Sequence, residues 1–363
     1  MVPSSNSYLI PKYYTLDPTS DIFQVQVPAG HAHGFFTLAE DTIILYHFNG
    51  EFDSDTTTHI HYGDPWINLE LPATPTLSVN DCKRNFVHPV EYTIIGASGF
   101  LGTQLMKTLN LNKPCAVALM SRLEDIDALR QELVHLTPKV VFCAAGLTGT
   151  PNIDWCDKHK TETISVNLTC QLALAQLCHS LNIKLVIFGS GGIFVTDASR
   201  ARNEHESGDS DTSFYSKMRI TLESLVIHYP NVTYLRILYP VSASAHPKNL
   251  LSKVQVFDTL TECQMSVSCV DTLFPLLPAM LDAGERGIIN FVNPGTISLS
   301  EIKTMLCKAS HVDPQFKITS PIRPCPVLCA RRMSNYGAPS VHTATLNAVV
   351  ALTTPSYTTA SHH

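Results

Sequence analysis

Tyr92-Thr-Ile-Ile-Gly-Ala-Ser-Gly-Phe-Leu-Gly102 is the stretch on which the fold turns. Tyr92–Ile95 reads as a short apolar strand, and Leu101–Leu109 has a helical pattern. Three glycines join them. The first permits the tight turn, the second lets backbone approach a pyrophosphate, and the third allows close helix–strand packing. The helix that opens there points its partial positive charge at the same place. Gly96, Ser98, Gly99, Phe100, Leu101 and Gly102 are therefore candidate dinucleotide contacts. An ordinary glycine-rich turn is the alternative, and the chain that follows argues against it.

That chain keeps alternating. Strands are expected at Ala116–Met120, Lys139–Ala144 and Lys184–Phe188, with helices near Asp125–Leu136 and Thr163–Leu181. This is the α/β pattern of a doubly wound, Rossmann-type parallel sheet, assigned to residues 91–330. Ala144, Ala145 and Gly146 after the third strand, with Tyr215 and Pro240 further on, complete the expected cofactor contacts. The second strand ends at Met120-Ser-Arg122 with no acid at its tip. An acid there would bind the ribose 2′-hydroxyl of NAD, whereas an Arg accommodates the 2′-phosphate of NADP. Arg122 thus points to NADPH; a solvated surface Arg is the alternative.

Upstream the texture differs. Residues 1–88 are rich in Thr, His, aromatic and β-branched residues, with turn signals at Pro28-Ala-Gly, Asn49-Gly and Gly63-Asp-Pro. Short runs such as Thr42–Phe48 and Trp66–Leu71 suit strands, so this region reads as all-β, ending at Val87-His-Pro-Val90. Downstream, no Asp or Glu follows Pro314, and the chain ends in a Ser/Thr-rich stretch. Residues 331–363 therefore read as a low-complexity tail.

Composition sets limits. The 363 residues are 44% hydrophobic and 15% charged with a net charge of −6, so no basic surface invites nucleic acid or an acidic membrane. No apolar run approaches the ~18 residues of a membrane span. The start, Met1-Val-Pro-Ser-Ser-Asn-Ser, lacks the cationic and apolar blocks of a signal peptide. Eleven cysteines without paired spacing suggest reduced thiols in a cytoplasmic protein, neither a disulfide framework nor a zinc site.

The glycine spacing resembles that of the extended short-chain dehydrogenases/reductases. That resemblance implies roles for Ser190, after the fourth strand, and for Tyr215 in Phe214-Tyr-Ser-Lys-Met-Arg219. In such reductases a Ser or Thr holds the substrate carbonyl and a Tyr gives it a proton as hydride arrives. A Lys four residues later, on the same helix face, supplies positive charge beside the Tyr. Here that residue is Arg219, while Lys217 lies on another face. A planar guanidinium does not replace an ammonium without adjustment. The expectation is an intact tyrosine with an impaired activator.

A closer resemblance rests on the run Ala144-Ala-Gly-Leu-Thr-Gly-Thr-Pro-Asn-Ile-Asp-Trp-Cys-Asp157 through Thr163, on Ser213-Phe-Tyr-Ser-Lys217 and Leu235-Arg-Ile-Leu-Tyr-Pro240, and on Pro247-Lys-Asn249 and Asn290-Phe-Val-Asn-Pro-Gly295. Over roughly residues 91–335 the chain resembles the bifunctional nucleotide-rhamnose synthases, epimerase/reductases that make L-rhamnose nucleotides. The resemblance implies NADPH-dependent reduction of a UDP- or dTDP-linked 4-keto-6-deoxyhexose. In that group a Cys two residues after the carbonyl-binding Ser/Thr serves epimerisation, and Gly192 stands there.

The first region resembles the second half of the dTDP-4-dehydrorhamnose 3,5-epimerases, cupin-type jelly rolls, through Val27–Phe35, Tyr46, Gly63-Asp-Pro65 and Leu77-Ser-Val-Asn-Asp81. The resemblance implies a partial cupin, with Tyr46 as catalytic acid and Asp81 as partner of a basic His whose Arg-Gly-x-His-x-Gln motif this chain lacks. The pair His31 and His33 would suit a metal in other cupins, but this family uses none, and none is expected. Half a jelly roll cannot cover its own apolar face, so the reductase or a second copy in a homodimer would have to. Epimerase chemistry is thus expected to be weak or lost. The rival to an enzyme is a catalytically impaired, reductase-like binding or regulatory protein, supported by Arg219, Gly192 and the missing base.

Overall fold

The structure is a computed structural model, and it describes residues 8–17, 19, 23–50, 59–64, 66–67, 69–73, 75–78, 81, 86–150, 152–195, 200–320 and 325–354. Its centre is a six-stranded, all-parallel sheet in the order β2-β1-β3-β4-β5-β7. In chain order these elements are β1 (Tyr92–Ile95), α1 (Phe100–Leu109), β2 (Ala116–Ala118), α2 (Ile126–Leu136) and β3 (Val140–Cys143). Then come α3 (Trp155–Lys158), α4 (Lys160–Ile164), a π turn (Ser165–Thr169), α5 (Cys170–Ser180), β4 (Lys184–Ser190), α6 (Phe214–Val226) and β5 (Val232–Ile237). The helix expected over 163–181 is present as one continuous run that carries the π turn within it.

Alternate strand residues face opposite layers, as pleating requires. Ile95, Val141, Leu185 and Ile187 pack with Leu129 and Leu133 of α2, Leu174 and Leu177 of α5, and Leu222 and Val226 of α6. Ile94, Phe142, Val186 and Phe188 pack with Leu105 and Leu109 of α1 and with α8 (Val270–Leu273) and α9 (Leu277–Asp282) on the other face. α7 (Leu250–Val256) and β6 (Thr259–Thr261) precede these, and β7 (Gly287–Asn290) completes the sheet. Strand order reverses between β1 and β3, so a crevice opens over their carboxyl ends, where ligands bind in such sheets.

The remainder forms a side cluster. β6 pairs with β8 (Lys317–Thr319), and α7 packs beside α10 (Leu299–Ala309). The expectation for the chain's end is corrected here. α11 (Arg331–Asn335) puts Met333 into the sheet's core, and α12 (Val341–Thr353) buries Val341, Ala344, Ala348 and Val349 in the side cluster. Composition concealed a helix whose apolar residues recur at three- and four-residue spacing behind the Ser340 cap, whose hydroxyl accepts the Thr343 N–H at 3.2 Å. Residues 355–363 lie outside the described residues.

Cysteine pairing is corrected too. Cys263 and Cys325 form a disulfide across 62 residues, with Cα atoms 6.4 Å apart, while eight other described cysteines are free. Sequence spacing carries no information about such a pairing, which the β6–β8 packing creates. No helix of the described residues is long and apolar enough to cross a membrane.

Residues 8–88 behave differently. Among the described residues of this region none belongs to a helix or strand, and only His61 and Asp64 are buried. Asp64 accepts the Trp66 and Val87 N–H groups at 2.8 and 2.7 Å, and Phe86 packs against the sheet's core. Thr42–Phe48, expected as a strand, has no ladder, and Ile43 and Leu45 are exposed. Strand propensity without a partner strand leaves backbone groups to water.

Candidate active site

The crevice is built around the glycine turn. Gly96 sits at φ +79°, and a Cβ there would come within 2.7 Å of the Ala145 nitrogen. A Cβ at Gly102 would overlap the Gly96 carbonyl. Both positions need glycine for backbone contact, as the spacing implied. α1 starts at Gly99 with no side-chain cap, so its first N–H groups remain available to an anion. Ser98 and Gly99 are exposed and Leu101 is half-buried. Phe100 turns inward instead. Its ring is 4% exposed and stacks on His246 at 4.9 Å, so only its backbone can face a ligand. Ala144, Ala145 and Gly146 lie across the turn at the end of β3. Pro240 follows β5, half-buried, with its carbonyl accepting the Leu250 N–H at 3.0 Å.

Arg122 is exposed just beyond β2. The reading that no acid stands at this tip is corrected. Glu132 of α2 returns there and accepts the Met120 and Ser121 N–H groups and the Ser121 hydroxyl at 3.1, 2.8 and 2.6 Å. Inspecting only the residues that follow the strand could not find an acid delivered by the next helix.

Ser190 ends β4, half-buried, its hydroxyl accepting the Gly192 N–H at 3.1 Å. α6 is docked onto this turn by Ser216, whose hydroxyl donates to the Gly192 carbonyl at 3.0 Å. Ser213 caps α6, and Asp157 from the Asp-Trp-Cys run accepts the Phe214 N–H at 2.8 Å. These bonds fix the first turn of α6, and with it Tyr215, which is buried. Lys217 is exposed, as its helix face required.

Arg219, expected as an impaired activator, lies directly against Tyr215. It is buried, and its Nε–H donates to the Tyr215 hydroxyl at 3.3 Å. Nη1 donates to Gln171 Oε1 at 3.0 Å and Nη2 to the Phe188 carbonyl at 2.6 Å. Burial disfavours its charge, but the Tyr215 and Tyr234 oxygens around it outweigh burial and hold its proton more firmly than usual. The nearby Cys143 thiol is pushed up to about 12 by burial, against the pull of Arg219, so it stays neutral. Among the described residues no carboxylate forms an ion pair with this guanidinium. Gln171 and Asn167, both fully buried, were missed by the sequence reading. They stand four residues apart, as one helix face requires, but Thr163, Ser165, Thr169 and Gln176 share the stretch, so the sequence did not single them out.

The other two candidates stand elsewhere in the chain. Tyr46 is 43% exposed and clusters with His33, Phe35 and Phe48 at ring distances of 5.9–6.2 Å. Partial burial and the Asp81 charge raise its pKa. Asp81 is exposed and accepts the Ser78 hydroxyl at 2.6 Å.

Residues 92–253 match the NAD dependent epimerase/dehydratase family, and residues 3–88 match dTDP-4-dehydrorhamnose 3,5-epimerase. A bifunctional dTDP-4-dehydrorhamnose 3,5-epimerase/dTDP-4-dehydrorhamnose reductase of Arabidopsis thaliana is 32% identical over 245 residues, 66% of this chain and 81% of that one. The chain belongs to this bifunctional epimerase/reductase family. A trifunctional UDP-glucose 4,6-dehydratase/3,5-epimerase/UDP-4-keto-L-rhamnose-reductase of the same plant is 35% identical over 63% of this chain, which spans only 35% of that protein's length. Among solved structures, the UDP-rhamnose synthase of Acanthamoeba polyphaga mimivirus shares the fold with a TM-score of 0.68 at 23% identity, over 73% of this chain and all of that one. The Bacillus anthracis dTDP-4-dehydrorhamnose reductase, solved with NADP, has a TM-score of 0.64 at 16% identity, over 72% of this chain and 98% of that one. The Rossmann-type architecture is thus shared with these structures, while residues 3–88 match a separate epimerase family.

Proposed function

We propose that the chain reduces a nucleotide-linked 4-keto-6-deoxyhexose, as UDP or dTDP sugar, at the end of L-rhamnose nucleotide synthesis. One observation carries this reading: a buried guanidinium, without a carboxylate partner among the described residues, touches the Tyr215 oxygen and lies beside Gly146 of the dinucleotide-type crevice. The crevice fits NADPH. Gly96 and Gly102 let the turn close on its own backbone, exposed Gly99 would let a pyrophosphate approach, the uncapped start of α1 offers N–H donors, and Arg122 would meet a 2′-phosphate. Ser98, Gly99, Leu101, Ala144, Ala145, Gly146 and Pro240 would line it, Phe100 through its backbone alone.

NADPH, when bound, supplies the hydride for C4. Ser190 orients the C4 carbonyl by donating its hydroxyl hydrogen. Tyr215 gives its proton to the oxygen as negative charge develops there, and Arg219 stabilises the tyrosinate that remains. Gly192 offers no side chain to move protons at C3 or C5, and the Arg-Gly-x-His-x-Gln motif that would supply a base to Tyr46 and Asp81 is missing from the sequence. The substrate is therefore one already epimerised. A homodimer is supported by the exposed Leu38, Ile43 and Leu45. A cytoplasmic site is supported by eight free thiols against one disulfide.

NADPH oxidation by the full chain tests the reading with UDP- and dTDP-4-keto-L-rhamnose. Sugar-dependent oxidation that disappears in Tyr215→Phe supports it. No oxidation with either sugar by the wild type overturns it.

A further inference from the structure

The Tyr215 site depends on a guanidinium where an ammonium would be simpler. An ammonium is a point charge that any approach serves, but a guanidinium is a rigid fork with five N–H donors in one plane. Which nitrogen meets the phenol is decided by what holds the other two. Here those holds are the Phe188 carbonyl of β4 on Nη2 and Gln171 Oε1 of α5 on Nη1. With both ends fixed, Nε is the atom left to face Tyr215.

Gln171 is itself held. It is fully buried, and its Nε2 donates to the Ala145 carbonyl at 3.1 Å. That bond sets which end of the amide faces Arg219. A flipped amide would press donors against a group that only donates, and would set its oxygen against a carbonyl. The π turn Ser165–Thr169 supplies the local geometry. Such turns re-aim helix side chains and cluster at functional sites. Here Asn167 of the turn grips Leu147 through both its N–H and its carbonyl, at 2.8 and 2.6 Å, and Gln171 follows at the start of α5. Both side chains are thereby anchored to the segment after β3.

A neutral amide is also chemically suited to this place. A carboxylate would hold the fork equally well but would pair with the cation, whose charge would then no longer act on the Tyr215 oxygen. We propose that Gln171 is the positioning residue of the Tyr215–Arg219 pair: it aims the Arg219 fork while leaving the charge uncompensated. The inference rests on the reductase reading of Tyr215, but one of its tests does not require turnover.

That test is the 15Nε–1H resonance of Arg219 in the full chain, assigned by its loss in Arg219→Lys. Gln171→Leu moves or broadens this signal if the amide holds the fork, and an unchanged resonance overturns the inference whether or not the wild type reduces any sugar. Wild-type inactivity with a perturbed resonance would instead count against the reductase reading alone. In the active enzyme, Gln171→Leu lowers kcat roughly 10- to 100-fold with KM and NADPH affinity kept within about threefold. In an Arg219→Lys background the same change costs less than about threefold, because a lysine has no fork to aim. Equal losses in both backgrounds are what plain packing gives, and they overturn the inference. Gln171→Glu keeps the shape and supplies the missing charge. It lowers kcat while the Arg219 resonance persists, and a Gln171→Glu enzyme of full activity overturns the inference as well.

Discussion

Residues 92–354 and residues 8–88 make an instructive contrast. Both carry apolar runs, and each matches a known family. In the later region each short strand finds a parallel neighbour and each helix covers a face, so Ile94, Val141, Leu185 and Leu235 are buried to 2% exposure or less. In the earlier one, Ile43 is 93% and Leu45 78% exposed. The difference lies in partners: a βαβ unit carries its own cover, while a jelly-roll strand depends on strands from the other half of the roll. The candidate chemistry follows the packing. Tyr215 is gripped by buried neighbours, whereas Tyr46 sits among exposed rings.

The sharpest way to break this contrast is to remove each phenol in turn. Tyr215→Phe should lower the rate of sugar-dependent NADPH oxidation by roughly a thousandfold, while Tyr46→Phe changes it less than about twofold. A strong loss from Tyr46→Phe would place the two regions in one site. The same comparison in stability uses carboxylates. Glu223 of α6 forms a buried ion pair with Arg236 of β5, and Arg236 also donates to the Asn203 and Glu206 carbonyls. Glu223→Leu should cost about 3–5 kcal/mol in denaturant unfolding by stranding that cation, and Asp81→Ala less than about 0.5 kcal/mol.

A smaller effect is expected at the tip of β2. Arg122→Ala should weaken NADPH binding about tenfold and leave NADH unaffected, measured as dissociation constants by fluorescence. Equal wild-type affinity for both dinucleotides would show that Glu132, already bonded to Met120 and Ser121, decides the matter. The smallest expected effect is a gain. A Cβ at Gly192 would meet only Ser190 Oγ, at 3.5 Å, so Gly192→Cys fits without displacement. Solvent deuterium should then enter C3 or C5 of the 4-keto-6-deoxyglucose nucleotide slowly, where the wild type incorporates none. Incorporation by the wild type at the rate of reduction would mean that the first region holds a working epimerase site.

The sequence by itself determined the sheet, the glycine turn and the helix face that Tyr215 shares with Arg219. These depend on local regularities: a strand followed by GxxGxxG and a helix constrains its own backbone, and helix period puts residue 219 on the face of 215 and residue 217 on another. It misjudged the chain's end, where the absence of acidic residues concealed the apolar spacing of α12. It did not reveal what holds the Arg219 fork, since a residue type alone does not specify its partners. Only tertiary structure brought Gln171, 48 residues away, against that guanidinium, Glu132 back to the tip of β2, and Cys325 to Cys263. Two of these pairings join elements distant in the chain and the third folds the next helix back onto its strand, and all depend on which faces the sheet buries together. No periodicity in a single segment encodes that.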